Sequence, residues 1–271
     1  MVIQSKSRTF VNILGIPGLL ALIYLGDIWF TGLILTVMII GGYELKNIAL
    51  GKGANLPISL LSVFFIILAM NNYYFPVNLY NLSILLIIMS FTGIIIELFR
   101  KEDTPLLNVS IEIFGFMWIG IFLGSLISLR LMSDIGIHFT FILMVGVWAC
   151  DSAAFLFGKT FGEKKILPKV SPKKTWVGCI SGIVFTNVTI LIIAYYNDSI
   201  TFTDAVVISV IIGVFGQIGD FVESMFKREV GVKDTGSLLM GHGGALDRFD
   251  SLALAAPVTF LYVIYSRGLL F

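Results

Sequence analysis

The sequence predicts an all-α, polytopic integral membrane protein of about nine transmembrane helices, with its N-terminus in the cytoplasm. Three observations carry this. Hydrophobic residues make up 57% of the 271 positions and charged ones only 13%, for a mean hydropathy of +0.97. The apolar residues gather in nine runs, most of them near the roughly 20 residues that a helix needs to cross a hydrocarbon core of about 30 Å. Backbone groups in lipid have no water to pair with, so these runs must be helices rather than open strands. Finally, of the 18 Lys and Arg residues, all but Arg130 and Arg267 fall on one side when the runs are threaded alternately with the N-terminus inside, as the positive-inside rule requires.

Each run has its own boundary signals. Val11–Leu25 follows Lys6 and Arg8; it lacks a small-x-small cleavage site and more spans follow, so it reads as a retained helix rather than a signal peptide. Ile28–Tyr43 begins after the short outer turn Gly26-Asp27, and Pro57–Met70 after an inner segment holding Lys46 and Lys52. Leu79–Leu98 follows the outer residues Asn71 to Phe75. The first two runs, and the third with the fourth, are short or close enough to fit re-entrant or tilted helices as well. Ile111–Leu131 enters after Arg100 and Lys101, and His138–Phe157 returns after Ser133 to Gly136. Val177–Tyr196, Asp204–Val222 and Leu246–Tyr265 complete the set and leave the C-terminus outside.

The chain shows no internal repeat, low-complexity tract or soluble domain, and reads as a single membrane domain over residues 1–271. Residues 1–131 carry no assigned role; residues 138–271 carry the chemistry. A net charge of +1 identifies no partner, and no nucleic-acid partner is expected. Cys150 and Cys179 show no metal spacing. The outer loops are short, whereas two inner loops are long, Gly158 to Trp176 and about Phe226 to Gly244. That asymmetry favours a reaction on the cytosolic side.

Residues 220–250 hold four Asp, two Glu, two Lys, two Arg and a His between apolar runs. Ionisable groups at a membrane boundary are costly and mark function by default. In the eighth run, Asp220, Glu223, Ser224 and Lys227 fall within a wedge of about 100° on one helical face. Asp220 lies about 24 Å along that run. Asp247 and Asp250 share a face in the first turns of the ninth run. One Asp there could be a cap for the helix dipole. Two, opposite Asp220 at similar depth, repel unless a cation sits between them, and hard oxygen ligands suit Mg²⁺, as one ion or two adjacent ones. Gly243 and Gly244, behind Gly241 and His242, can bring backbone N–H groups to an anion or serve as a hinge. His242 is either a donor to a phosphate oxygen or a hydrogen-bonded structural residue. Asp151 sits roughly 10 Å from the inner end of the sixth run. The loop behind it carries Lys173 and Lys174 after the turn-forming Ser171-Pro172. Carboxylates with divalent cations, lysines and a Gly-rich turn fit phosphoryl or nucleotidyl transfer.

The stretch from Ser224 through Lys227-Arg228, Lys233-Asp234, Gly236 and Gly241-His242-Gly243-Gly244 to Asp247-Arg248-Phe249-Asp250 resembles the signature of the phosphatidate cytidylyltransferases, or CDP-diacylglycerol synthases. Asp151-Ser152-Ala153, Gly158-Lys159 and Ser171 to Thr175 agree with it. Departures fall at Met240, where a proline is common, and at Trp176-Val177, where an acidic residue often precedes Gly178. The resemblance implies that phosphatidic acid and CTP give CDP-diacylglycerol and pyrophosphate with Mg²⁺, in a homodimer of a bacterial-type inner membrane. It implies Asp220, Asp247, Asp250 and Lys227 as catalytic residues, the three aspartates as metal ligands, and Ser224, Arg228, Lys173, Lys174, His242, Gly243, Gly244, Arg248 and Asp151 as substrate contacts. A CTP-dependent lipid or polyprenol kinase and, in a different class, a cation transporter remain as alternatives. The expected site is one polar cavity open to the cytoplasm with a side opening to lipid. Asp220, Asp247 and Asp250 would form its floor and Asp151 its wall.

Overall fold

The computed structural model describes residues 15–236 and 243–269. Met240, Gly241 and His242, and the basic pair Lys6 and Arg8, lie outside the described residues. Over the described residues the apolar runs form helices: α1 Gly15–Leu25, α2 Asp27–Leu50, α3 Ile58–Tyr74, α4 Leu79–Arg100, α5 Pro105–Arg130, α6 Gly136–Phe161, α7 Trp176–Tyr195, α8 Phe202–Glu229 and α9 Leu246–Ser266. Seven of the described helices are long and apolar enough to cross a membrane. The other two, α1 and α3, are shorter apolar helices; at 1.5 Å per residue α3 spans about 25 Å.

Half of the apolar window of α8 and of α9 is buried, against 17% for α4. The C-terminal pair is therefore central and α4 peripheral, turning Phe91, Ile94 and Leu98 outward. Phe65 and Phe116 stack in the interior with ring centroids 6.4 Å apart. Removal from water does not bring helices together in lipid; close packing of small residues does. The α6–α7 seam shows this at intervals of one turn. Gly146 receives Ile190 and Thr186, Cys150 lies against Gly182, and Gly178 lies against the Ala154 carbonyl and Gly158. Gly219 likewise admits the Asp250 carbonyl, locking α8 to α9.

Two π-helical segments interrupt the α-helices, Phe116–Phe122 in α5 and Ile212–Gly216 in α8. Such insertions free a carbonyl and often lie near functional sites. In α8 the Gln217 amide fills the gap, donating to Gly213 O at 2.7 Å and across to Cys179 O at 3.0 Å. The wider turn comes immediately before the polar stripe, so it sets the direction in which Asp220 points. At the ends of the bundle, Arg130 donates to the carbonyls of Ile23 and Tyr24, and Arg267 pairs with Asp204 at 2.7 Å. A separate polar knot joins α4 and α5, where Asn108 and Arg100 both donate to the buried Glu97.

Gly178→Val puts a branched side chain on the Ala154 carbonyl. We expect a loss of about 1–3 kcal/mol, read as a lower unfolding temperature in detergent. Gly32, with nothing within 4 Å of an added Cβ, is the control: Gly32→Ala shifts stability by no more than about 0.5 kcal/mol.

Candidate active site

The stripe expected on α8 is present, and its members pair along it. Ser224 Oγ donates to Asp220 Oδ1 at 3.3 Å, and Lys227 Nζ donates to Glu223 Oε1 at 3.1 Å. Lys227 also reaches Asp247 Oδ1 on α9 at 2.6 Å. Lys227 and Glu223 are 7% and 4% exposed. Removing such charges from water costs several kcal/mol each, so the triad holds only because every charge in it has an opposite one beside it.

Asp247 is the most heavily used carboxylate of the site. Its Oδ2 accepts from the backbone N–H groups of Thr235, at 2.8 Å, and Gly244, at 2.7 Å. The repulsion that the aspartate spacing suggests a cation must relieve is here relieved, at Asp247, by Lys227. Gly244 also differs from the expectation: its N–H is spent on Asp247 rather than left open to an anion. Gly243, at φ +82°, packs directly against the same carboxylate.

The other pole lies between α6, α7 and α8. Lys174 Nζ pairs with Asp220 Oδ2 and stands 4.4 Å from the centroid of the Phe221 ring. The loop that carries it is a short antiparallel turn-back. Ile166 N bonds Lys174 O, Trp176 N bonds Lys164 O, and the turn at Ser171 closes with Lys174 N donating to Ser171 O at 3.3 Å. Thr175 then caps α7 by accepting from Gly178 N. This turn-back faces a cavity of about 670 Å³ lined by Asp151, Asp220, Lys159, Lys165, Lys173 and Lys174, among others.

A second cavity, of about 450 Å³, is lined by residues one turn further along α8. Its walls are apolar, including Ile111, Phe114, Trp118 and Phe226, with Glu223 and Lys227 at its polar edge. In place of one polar cavity over all four aspartates, the lysine-rich cavity takes Asp151 and Asp220, and the apolar-walled one takes Glu223 and Lys227. Neither is lined by Asp247 or Asp250. Counting residues along helices ranks side chains by depth but does not say which side of a helix holds empty space.

The remaining residues divide. Asp250 lies within the electrostatic reach of Asp220, Glu223 and Asp151, and one of its oxygens accepts from Ser251 N. Arg228 is exposed and spends its guanidinium on the carbonyls of Val170 and Val232, tying the two long loops together. Arg248 is exposed in the first turn of α9. His242 lies outside the described residues. Glu44 on α2, Thr235 and Gln217 take no place in the sequence-derived site, yet Thr235 bonds Asp247, Glu44 bonds Thr235, and Gln217 lines the lysine-rich cavity. The signal for Glu44 was present: a carboxylate at the end of an apolar run.

Among the described residues no three Asp, Glu, His or Cys side chains converge to hold a metal ion as they stand. The donor chemistry around Asp250 nonetheless fits a hard divalent cation. Asp220, Glu223 and Asp250 all offer carboxylate oxygens, and Glu223 Oε2 is buried without a hydrogen-bond partner.

With this geometry in place, comparison with known proteins is specific. The sequence matches the cytidylyltransferase family over residues 6–266. The chain belongs to that family. It is 30% identical to the phosphatidate cytidylyltransferase of Bacillus subtilis (strain 168) over 270 residues, 97% of this chain and 98% of that protein. Against the Staphylococcus aureus (strain COL) protein of the same name it is 32% identical over 268 residues, covering 96% and 100%. As a cytidylyltransferase family member the chain is a nucleotidyltransferase, and the match covers all nine described helices rather than the C-terminal signature alone.

Lys227→Met would leave Glu223 and Asp247 buried without their cation. We expect a loss of about 3–5 kcal/mol in thermal unfolding, part of it recovered by adding Glu223→Gln. An unchanged unfolding temperature in the single variant would show that the triad does not hold α8 to α9.

Proposed function

We propose that this cytidylyltransferase transfers the CMP moiety of CTP to phosphatidic acid, forming CDP-diacylglycerol and pyrophosphate. The observation that carries the reading is the pair of unlike cavities on adjacent turns of α8. A triphosphate needs clustered cations, and the basic cavity supplies four lysines. A diacyl lipid needs apolar walls beside a polar edge, and the other cavity supplies Phe114, Trp118 and Phe226 beside Lys227. The name shared by the bacterial relatives supports the same substrates.

Lys173 and Lys174 neutralise the triphosphate, so that a lipid phosphate oxygen can approach the α-phosphorus without meeting uncompensated charge. Lys174 then exchanges Asp220 for a phosphate, which frees the Asp220 carboxylate. Lys227, held by Glu223 and Asp247, faces the apolar cavity and receives the lipid phosphate. The new bond joins the lipid phosphate oxygen to the α-phosphorus, and the bond to the β-phosphate oxygen breaks. A Mg²⁺ ion held by Asp220 and Asp250, with Glu223 Oε2 as a further donor, would supply charge neutralisation on the phosphates; Asp247, expected as a third ligand, has both oxygens engaged by Lys227, Thr235 and Gly244.

We further read residues 1–271 as one membrane domain of an inner-membrane homodimer, with the site facing the cytoplasm. All sixteen basic residues assigned to the inner side lie within the match to the family, which supports this orientation.

Purified protein given phosphatidic acid and CTP should place label in lipid from [α-³²P]CTP and none from [γ-³²P]CTP; label from the γ position alone would make the protein a lipid kinase. Asp220→Asn and Asp250→Asn are each expected to reduce turnover at least about a hundredfold, and raising Mg²⁺ should recover more activity in these variants than in Lys173→Ala. The Lys173→Ala/Lys174→Ala pair should raise KM for CTP, lower kcat, or both, while Lys101→Ala changes neither. Wild-type kinetics in the double variant would return these lysines to a purely topological role.

A further inference from the structure

Glu44 is 5% exposed at the interior face of α2, where a carboxylate is tolerated only if its oxygens are satisfied. Three donors satisfy it, all from the far end of the chain. Ala245 N–H donates to Oε1 at 2.7 Å and Leu246 N–H to Oε2 at 2.9 Å. These are among the N–H groups that the first turn of α9 leaves without intrahelical partners, and the charge complements the positive end of the helix. The third donor is Thr235 Oγ1, at 2.8 Å from Oε2.

Thr235 extends the contact to the site. Its hydroxyl stands between two carboxylates, 2.8 Å from Glu44 Oε2 and 3.0 Å from Asp247 Oδ2, while its backbone N–H donates to Asp247 Oδ2 at 2.8 Å. Asp247 in turn holds Lys227. A continuous chain therefore runs from α2 through Glu44, Thr235 and Asp247 to Lys227. The glycines around it are shaped to this carboxylate: a Cβ on Gly236 or on Gly244 would run into Glu44. Gly41, one turn earlier on α2, gives room to the Leu246 side chain. Two glycines of the 224–250 stretch thus make space for a group that arrives from the N-terminal half.

We propose that Glu44 is a positioning residue for nucleotidyl transfer: it anchors Thr235 and the start of α9 so that Asp247 holds Lys227 in register with the reacting phosphates. Glu44 lines neither cavity, so it acts through Thr235 and Asp247 rather than on a substrate. The inference rests on the cytidylyltransferase reading and assigns a task to residues 1–131, which the motifs leave without one.

The test is a double-mutant cycle of Glu44→Gln and Thr235→Val in purified protein, assayed with phosphatidic acid and [α-³²P]CTP, with unfolding temperatures measured in parallel. Glu44→Gln keeps the side-chain shape, but its NH₂ group then faces the N–H of Ala245 or of Leu246. Each single variant is expected to lower kcat about tenfold and to leave KM for CTP within about twofold. The double variant should fall no further than the weaker single, because both substitutions break one chain of contacts. Wild-type kcat in the single variants, or losses that multiply in the double, would overturn the proposal. So would a loss of activity that follows only the unfolding temperature and vanishes when the assay is cooled. Wild-type protein that transfers no α-label to lipid would instead overturn the substrate reading, so the two failures are distinguishable.

Discussion

Charge placed at membrane depth must be answered from within the protein, and the rest of this structure follows from how that demand is met. Lys227 lies between Glu223 on its own helix and Asp247 on the next. Asp220 meets Lys174 from the loop before α7, and Glu44 meets the backbone of α9. All but the Glu223 contact join different elements of the chain. Together they bind α2, α8, α9 and the α6–α7 loop into one unit around the site. A soluble enzyme could leave some of these groups to water, but at this depth each needs a protein partner or a bound ion.

Such pairing requires helices to approach closely, and lipid supplies no hydrophobic drive for that. The chain solves this with small residues placed where backbones meet. Gly178 and Gly182 let α7 lie against Ala154 and Cys150 of α6, and Gly219 lets α8 meet the Asp250 carbonyl. The π-helical turn at Ile212–Gly216 then re-aims the end of α8, with Gln217 satisfying the carbonyl it releases. Packing and site geometry are thus one problem. A helix moved outward by one side chain would separate Lys227 from Asp247 as surely as losing either residue.

On the proposed reading, the two cavities answer a general difficulty of lipid nucleotide chemistry. One substrate is an amphiphile that keeps its chains in the bilayer, and the other is a polyanion confined to water. A single pocket suited to both would have to be apolar and strongly basic at once. Here the polar stripe of α8 serves as a shared wall: Asp220 faces the lysine-lined side, and Glu223 and Lys227 face the apolar side. The N-terminal helices are part of this arrangement, since Ile111, Phe114 and Trp118 of α5 form much of the apolar wall.

How much of this was legible in the sequence depends on the kind of statement. Apolar runs and helical periodicity led to nine helices and to a stripe of Asp220, Glu223, Ser224 and Lys227, because both depend on composition and on 3.6 residues per turn alone. The stretch from Ser224 to Asp250 pointed to the family for the same reason: it is a local pattern. The partner of each charge was not legible. Spacing placed Asp247 and Asp250 on one face of α9, yet Asp247 took Lys227, Thr235 and Gly244 as neighbours, while Arg228 went to two loop carbonyls. Glu44 was visible as an isolated acid and nothing more. By itself the sequence determined the class of the molecule, its helices and which side chains belong to a polar face. Only the tertiary structure decided what each face meets, because periodicity sets a direction around one helix axis, and the neighbour in that direction belongs to another part of the chain.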